Sequence, residues 1–575
     1  MKPRVSEAGN PALAPAARAA GVGVKLAIAR FAGSLALAST VTLSLIFGFV
    51  LVLSLAFVFI VNSSNPGFGL ILAVVITVLF NLAVFFVSPL IMDLSQKWLY
   101  KTRWVNLAAI RQRSPKTADI ITQVCADKGL SQPRLGIIED QNPTAFTYGS
   151  LPNTARVVVS EGLFTYLDDE EVASVYAHEM GHIVHWDFAI MTLGSTLVQV
   201  CYLLFVFIDR LGNKAKEALQ TVSFAAFAMY IVGTYLLLSL SRVREYFADH
   251  FAAEVTANPN ALSRALVKIA YGIVEEGKRS EKPSQLLQGT RALGICDSKA
   301  AVMTGNMYRS STASGKMGRV FLWDMFNPWA RWSELNSTHP LTGKRIRALA
   351  NYAEQLDQEV EFDMASILRE GYTLSKQRLY GGFALDLVLY LAEVLGLLLG
   401  FLLGLLLTDP DQPLLWFLSF PLIGFGAGTL IKALILYPDY AKAPATDILE
   451  LMANPYASPL RGIPAQLDGR LIGRGEAGYV FGSSIQFQDP TGLLYLRYCS
   501  LLGPIGNFLF GLKRVNRLID SQASVLGWFR RGAVSSLDLI RIRSENGGIV
   551  NSYPRFWSLL LGASLLIFGL VLRTT

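Results

Sequence analysis

The sequence predicts an α-helical polytopic membrane protein with folded soluble parts between its apolar runs. Three observations predict it. Hydrophobic residues make up 52% of the 575-residue chain, against 16% charged. Seven apolar runs (41–61, 68–91, 188–208, 222–240, 383–407, 414–436 and 556–572) reach the length that spans a bilayer. Cations gather at the end of the second run, as Lys97, Lys101 and Arg103, which is the mark of a cytoplasmic loop. The net charge, 51 − 43 = +8, belongs to such loops and does not argue for nucleic acid. The four cysteines, Cys125, Cys201, Cys296 and Cys499, stand far apart, so neither a disulfide framework nor a cysteine metal site is expected, and a reducing setting fits the soluble parts.

Taken in order, residues 1–40 form a basic start, with Lys2, Arg4, Arg18, Lys25 and Arg30 among alanines and glycines. It is either disordered or surface-lying, without the pattern of a removable signal, and keeps the N-terminus in the cytosol. Residues 41–91 read as a transmembrane hairpin turning at 62–67. Residues 104–187 read as α+β: a helix at 118–128, strands at 133–139 and at the valine-rich 156–160, with Asn142–Phe146 between the strands. A helix follows, then the third run, a short polar loop at 209–221, and the fourth run. Helices at 260–276 and 344–358 flank a segment that turns loop-rich around 309–318.

Runs five and six form a second hairpin, 383–436, with Asp386 and Glu393 inside it. Seven residues apart is two helical turns, so both acids are expected on one face, either in a functional role or paired with neighbours such as Lys432. Residues 441–555 switch to short alternating strands (466–472, 479–486, 493–498, 523–529 and 537–543) with glycine between them, which suggests a small β-barrel or sandwich. Arg530 and Arg531 read there as a solvated or lipid-facing edge. The last run, 556–572, closes a seven-helix topology with the N-terminus inside, the C-terminus outside and the soluble parts 92–187, 241–382 and 437–555 cytosolic.

The chemistry centres on Tyr176–His182. His178 and His182 are i and i+4, so on a helix both imidazoles project from one face and can share a metal ion, with zinc the metal that suits them. Glu179 stands one step round, where it can take a proton from water. The chain holds only five histidines, so chance matches to this pattern arise on the order of a few per thousand chains of this make-up. Asp168-Asp169-Glu170-Glu171 announces the helix, with an N-cap and a capping-box partner three residues on. If that helix ran unbroken into the third run, the ion would lie within roughly 10 Å of the membrane boundary.

Directly after the fourth run stand Glu245 and Asp249, again i and i+4. If runs three and four form an antiparallel hairpin, Glu245 returns to the membrane face of His182 as a third ligand, leaving a fourth position open for water, and Asp249 can orient a ligand histidine. The alternative is an interfacial charge cluster of Arg242, Arg244, Glu245 and Asp249. His185 lies about 10.5 Å along the axis from His178, too far to share the ion, and reads as interfacial; His250 points away and reads as structural.

His-Glu-Met-Gly-His at 178–182, followed across two apolar runs by Ser241-Arg242-Val243-Arg244-Glu245-Tyr246-Phe247-Ala248-Asp249, resembles peptidase family M48. Within it the chain is most similar to HtpX-type membrane proteases and more distantly to the Ste24 CaaX-processing proteases. The likeness covers roughly residues 40–355. It implies a zincin-type α+β metalloprotease core over 92–358, enclosing the transmembrane hairpin 188–240; the C-terminal transmembrane hairpin and small β-rich domain fused to it go beyond a minimal protease of this type. It implies one zinc per chain on His178, His182 and Glu245, with Glu179 as general base. Ser337-Thr338-His339-Pro340 also matches a family motif and implies that His339 reaches the site, as a transition-state donor or a switchable ligand; Pro340 as a first helical residue places His339 at an N-cap. The family often carries Asn-Ala-Phe before the metal helix; here it is Thr144-Ala145-Phe146, without the amide side chain.

The function implied is a quality-control endopeptidase of an inner, plasma-type membrane, its site on the cytosolic face, cleaving protein or peptide substrates that are themselves membrane proteins. The alternatives are a Ste24-like processing enzyme and a non-catalytic scaffold or chaperone with a structural zinc. Glu179 argues against a scaffold, because a structural site has no use for a base beside an open position. Residues 380–575 could also hold an independent function.

Overall fold

A computed structural model describes residues 67–98, 100–209, 213–279, 295, 318–409, 411–474, 483–532 and 535–573. The basic start, the first apolar run and the turn up to residue 66 lie outside the described residues, as does most of 309–318.

Helix α1 (Gly67–Trp98) leads into a soluble layer of β1 (Arg103–Val105), α2 (Leu107–Arg113), α3 (Pro115–Lys128), β2 (Arg134–Ile138), β3 (Ala145–Tyr148) and β4 (Arg156–Ser160). The strands form one sheet in the order β1-β2-β4-β3, with β2 and β4 parallel and the outer pairs antiparallel. β3 was not expected as a strand; all four of its residues are buried. Val157 and Val159 of β4 and Leu135 and Ile137 of β2 face a core shared with Val172, Val175 and Tyr176, while Val158 packs on the other face with Ile138, Phe146 and Tyr148.

After α4 (Glu161–Tyr166) come α5 (Asp169–Val184), α6 (Asp187–Asp209), α7 (Asn213–Thr256) and α8 (Pro259–Arg279). The capping box forms as expected: the Asp168 carboxylate accepts from Glu171 N and the Glu171 carboxylate from Asp168 N, both at 3.0 Å. The helix does not continue into the third apolar run. It stops at His185, and Trp186 sits in the left-handed region at φ 60° before α6 begins. Conversely, residues 213–221, expected as loop, belong to the 44-residue α7. Asp187–Val206, Leu219–Thr256 and Leu414–Leu436 are long and apolar enough to cross a membrane.

Four helices follow in this layer: α9 (Phe321–Phe326), α10 (Pro328–Leu335), α11 (Thr342–Gln355) and α12 (Met364–Tyr372). The fifth apolar run is broken. α13 (Lys376–Tyr390) and α14 (Ala392–Leu407) meet at a 64° bend and make a span only if taken together. Asp386 and Glu393 therefore do not share a face. Asp386 is fully buried and accepts from Trp329 Nε1 (2.8 Å), Ser458 Oγ (2.7 Å) and Arg461 Nε (2.5 Å). Glu393 pairs with Lys432 of α15 (Leu414–Leu436) at 2.8 Å, the partner expected for it. Gly396, Gly400 and Gly428 let α14 and α15 meet backbone to backbone.

α16 (Ile448–Ala453) precedes β5 (Ile463–Arg474), β6 (Ile485–Asp489), β7 (Gly492–Arg497), α17 (Gly503–Lys513), β8 (Gln522–Arg530), β9 (Ser536–Ser544) and β10 (Gly548–Asn551), and α18 (Phe556–Leu572) ends the chain. Pairing runs β5-β6-β7-β9-β8, and β8 pairs back to β5, so the five strands close into a barrel with β10 added on β9. β7 and β9 are parallel and the other pairs antiparallel. That order, with a helix between the third and fourth barrel strands, is the topology of the OB barrel. Topology alone assigns it no ligand.

The barrel does not stand apart. Its core of Leu467, Leu471, Phe487, Leu494, Val525 and Leu539 is continuous with Val320, Trp323, Ala330 and Leu341. Arg530 and Arg531 correct the sequence reading: both are buried. Arg530 Nε donates to Asp538 Oδ2 at 2.6 Å. Arg531 donates to the carbonyls of Met452 and Val320 and lies over the Trp323 ring, 4.7 Å from its centroid. Arg531 keeps its Nε buried without a partner, so its charge is met through the two carbonyls and the ring.

Candidate metal centre

α5 buries twelve of its sixteen residues, His178 and Glu179 among them, because it runs through the middle of the core. α7 packs across it at Gly181, where an added Cβ would stand 3.0 Å from Ala248 Cα. That close crossing sets Glu245 opposite the two histidines. His178 Nε2 and His182 Nε2 face each other at 3.2 Å, and the Glu245 oxygens lie 3.6 Å from each. One donor atom from each of the three falls within 4.8 Å of the others. Two imidazole nitrogens and a carboxylate at this spacing form a donor set that suits zinc, and Glu245 Oε2 is buried without a hydrogen-bond partner.

Each histidine has its own carboxylate behind it. Asp249 Oδ1 stands 3.0 Å from His178 Nδ1, as the sequence suggested. Asp187 Oδ2 stands 2.6 Å from His182 Nδ1, and sequence reasoning missed it. The signal was present: a lone aspartate opening an apolar run, five residues after His182. Arg345 holds Asp249 through Nε (2.9 Å) and Nη2 (2.6 Å), and its Nη1 is 3.2 Å from Glu245. Arg244 pairs with Asp187 and donates to the carbonyl of His185 at 2.6 Å, which ties α7 to the break between α5 and α6.

Glu179 is buried and accepts from Thr147 Oγ1 at 2.5 Å. Burial pushes its carboxyl above the ordinary value, opposed by the nearby His182 and His178. Thr147 left no trace in the sequence, because its role depends on β3 lying beside α5. His339 reaches the same place: its Nε2 is 3.6 Å from Glu245 Oε1, and its Nδ1 meets Thr338 Oγ1 at 2.9 Å. It is not an N-cap, however. α11 begins at Thr342 behind Leu341, so His339 sits on the loop ahead of the helix. His185 packs against Phe247 and Phe251, and burial holds its pKa down to about 4. His250 lies by Glu254 and Tyr352, away from the site.

A cavity of about 330 Å³ opens beside these groups. Glu179, His182, Glu245 and His339 line one side; Phe85 and Met92 of α1 and Phe188 and Met191 of α6 line the other. The site thus offers a metal-type donor set, a buried carboxylate with a raised pKa, and an apolar wall drawn from helices that run into apolar spans.

Among known proteins, the sequence pattern of peptidase family M48 matches residues 111–353. A protein named protease HtpX homolog from Methanothermobacter thermautotrophicus is 31% identical over 196 residues, 34% of this chain and 72% of that one. A protein of the same name from Aeropyrum pernix is 30% identical over 285 residues, 45% of this chain and 83% of that one. Protease HtpX homolog 2 from Methanosarcina mazei is 34% identical over 175 residues, 29% of this chain and 60% of that one. The barrel lies beyond the residues matched to the family.

Proposed function

The chain belongs to peptidase family M48, and from that premise we propose that it is a membrane-bound, zinc-dependent endopeptidase acting in the quality control of membrane proteins. The observation that carries the reading is the meeting of His178, His182 and Glu245 from two helices, with Glu179 beside them on the cavity wall.

His178, His182 and Glu245 would hold the ion, one per chain. Zinc in such a site would supply a Lewis acid and lower the pKa of a water, so that it gives up a proton readily at neutral pH and becomes nucleophilic. Glu179 takes a proton from the attacking water and hands it to the departing amine nitrogen. Thr147 fixes one oxygen of that carboxylate, leaving the other for the water. Asp249 and Asp187 orient the two imidazoles. His339, whose Nε2 lies 3.6 Å from Glu245 Oε1, would donate a hydrogen bond to the developing oxyanion. The apolar wall supports substrates with apolar side chains, as membrane proteins have, and a tethered substrate is concentrated at a membrane-surface site.

Purified protein should carry about one zinc per chain, from the three-ligand count, and Glu245→Ala should lose most of it; full retention would overturn the ligand set. Glu179→Gln should keep zinc and fold while cleavage drops about 10²–10⁴-fold. For the cytosolic face of a plasma-type membrane, a cysteine placed at Lys116 should be labelled from the cytosolic side only and one at Lys214 from the opposite side only. Labelling of both from one side would remove the membrane-surface account.

A further inference from the structure

The helix α17, on the barrel wall, shows two apolar faces. Gly503, Gly506 and Phe510 are buried against the barrel, where the Phe510 ring stacks on Tyr498 at 3.7 Å. The outward face carries Ile505, Leu509 and Leu512, at i, i+4 and i+7, continued upstream by Leu501 and Leu502; all five are exposed, Ile505 at 71% and Leu502 at 67%. A helix on the wall of a water-facing barrel would carry polar residues there. A contiguous exposed apolar face marks a contact.

We propose that α17 lies in the headgroup region of the bilayer and holds the barrel against the membrane through its own lipid contact, apart from the spanning helices. Two observations name lipid as the occupant. The start of α17 is tied to the start of α18. Tyr553 N donates to Cys499 O at 2.8 Å, Cys499 N donates to Ser552 Oγ at 2.9 Å, and a Cβ on Gly503 would meet Trp557 Nε1 at 3.6 Å. α18 is a 17-residue apolar helix whose entry carries Arg555, Phe556 and Trp557, the residue types that settle at the membrane boundary. The apolar face of α17 therefore begins at the level where α18 enters the bilayer. At its other end Lys513, Arg514 and Arg517 are all exposed, which suits anionic headgroups. The carboxylate that follows, Asp520, faces Arg470 at 3.3 Å.

The inference rests on the reading that α15 and α18 stand in a membrane, and its test separates the two. The full-length chain, with its four cysteines replaced, is placed in nanodiscs of phosphatidylcholine and phosphatidylglycerol. A nitroxide is attached in turn at Ile505→Cys, Leu509→Cys, Leu512→Cys, Asn516→Cys and, on α15, Leu418→Cys. All five positions are exposed, so the labels do not intrude on the core. Labels at 505, 509 and 512 should be relaxed more by oxygen than by a water-soluble nickel chelate, the label at 516 should show the reverse, and the label at 418 should read as lipid. If 418 reads as lipid while 505, 509 and 512 read as water, α17 does not touch the membrane. If those three are shielded from both reagents, a protein surface covers the helix and the lipid contact is overturned as well. If 418 also reads as water, the membrane reading itself fails.

Discussion

Asp187 shows what a single side chain adds to the metal-binding motif. An imidazole binds a metal through one nitrogen only if the other is fixed in the right tautomer, and a carboxylate on Nδ1 does that. In the proposed centre Asp249, 3.0 Å from His178 Nδ1, and Asp187, 2.6 Å from His182 Nδ1, would serve this purpose. In the proposed centre, Asp187→Asn should weaken zinc affinity about 10–100-fold, read by competition with a chelator, while helix content stays the same. Unchanged affinity would mean that Asp187 serves only Arg244. Thr147→Val should leave zinc content alone and reduce turnover, because it frees the Glu179 carboxylate to rotate.

At the scale of the element, helix α5 depends on its two ends. Its N-terminus is closed by the Asp168–Glu171 box. Asp168→Ala should lower stability by about 1 kcal/mol, measured by thermal unfolding. Its C-terminus depends on the backbone of Trp186 at φ 60°, which ends α5 and starts α6 with Asp187 against His182. Trp186→Gly relieves roughly 1–2 kcal/mol of left-handed strain and should be tolerated. Trp186→Pro, locked near φ −65°, cannot take that turn and should cost the protein its zinc. A proline variant that binds zinc normally would show that the break does not matter to the site.

Over the whole molecule, the protease-like layer and the barrel share one core. Trp323 and Val320 enter it from one side and Arg531 from the other, with Trp323 Nε1 donating to Ala457 O at 2.9 Å. An independent C-terminal half is therefore not what the packing supports. Arg531→Ala leaves the carbonyls of Met452 and Val320 without their donor and Asp324, 3.9 Å from Arg531 Nη2, without its cation, a loss of about 3–5 kcal/mol for a broken buried pair. Limited proteolysis should then cut between the two parts, and residues 1–375 expressed alone should aggregate unless the remainder is coexpressed.

The sequence by itself determined what is periodic and local: the i, i+4 histidines with their glutamate, the capping box, the apolar runs, the return of Glu245 after a two-run hairpin, and the alternating strands near the end. Each depends on spacing along one element, and spacing is written in the chain. The tertiary structure decided the rest. It set the breaks at Trp186 and Leu391, brought Thr147 and Asp187 to the site, separated Asp386 from Glu393, and moved His339 off its expected cap. It also closed the barrel and buried Arg530 and Arg531. These depend on partners far away in sequence: Arg531 is buried because Met452 and Val320 offer it carbonyls and Trp323 a ring, and no local pattern records which distant groups will satisfy a charge.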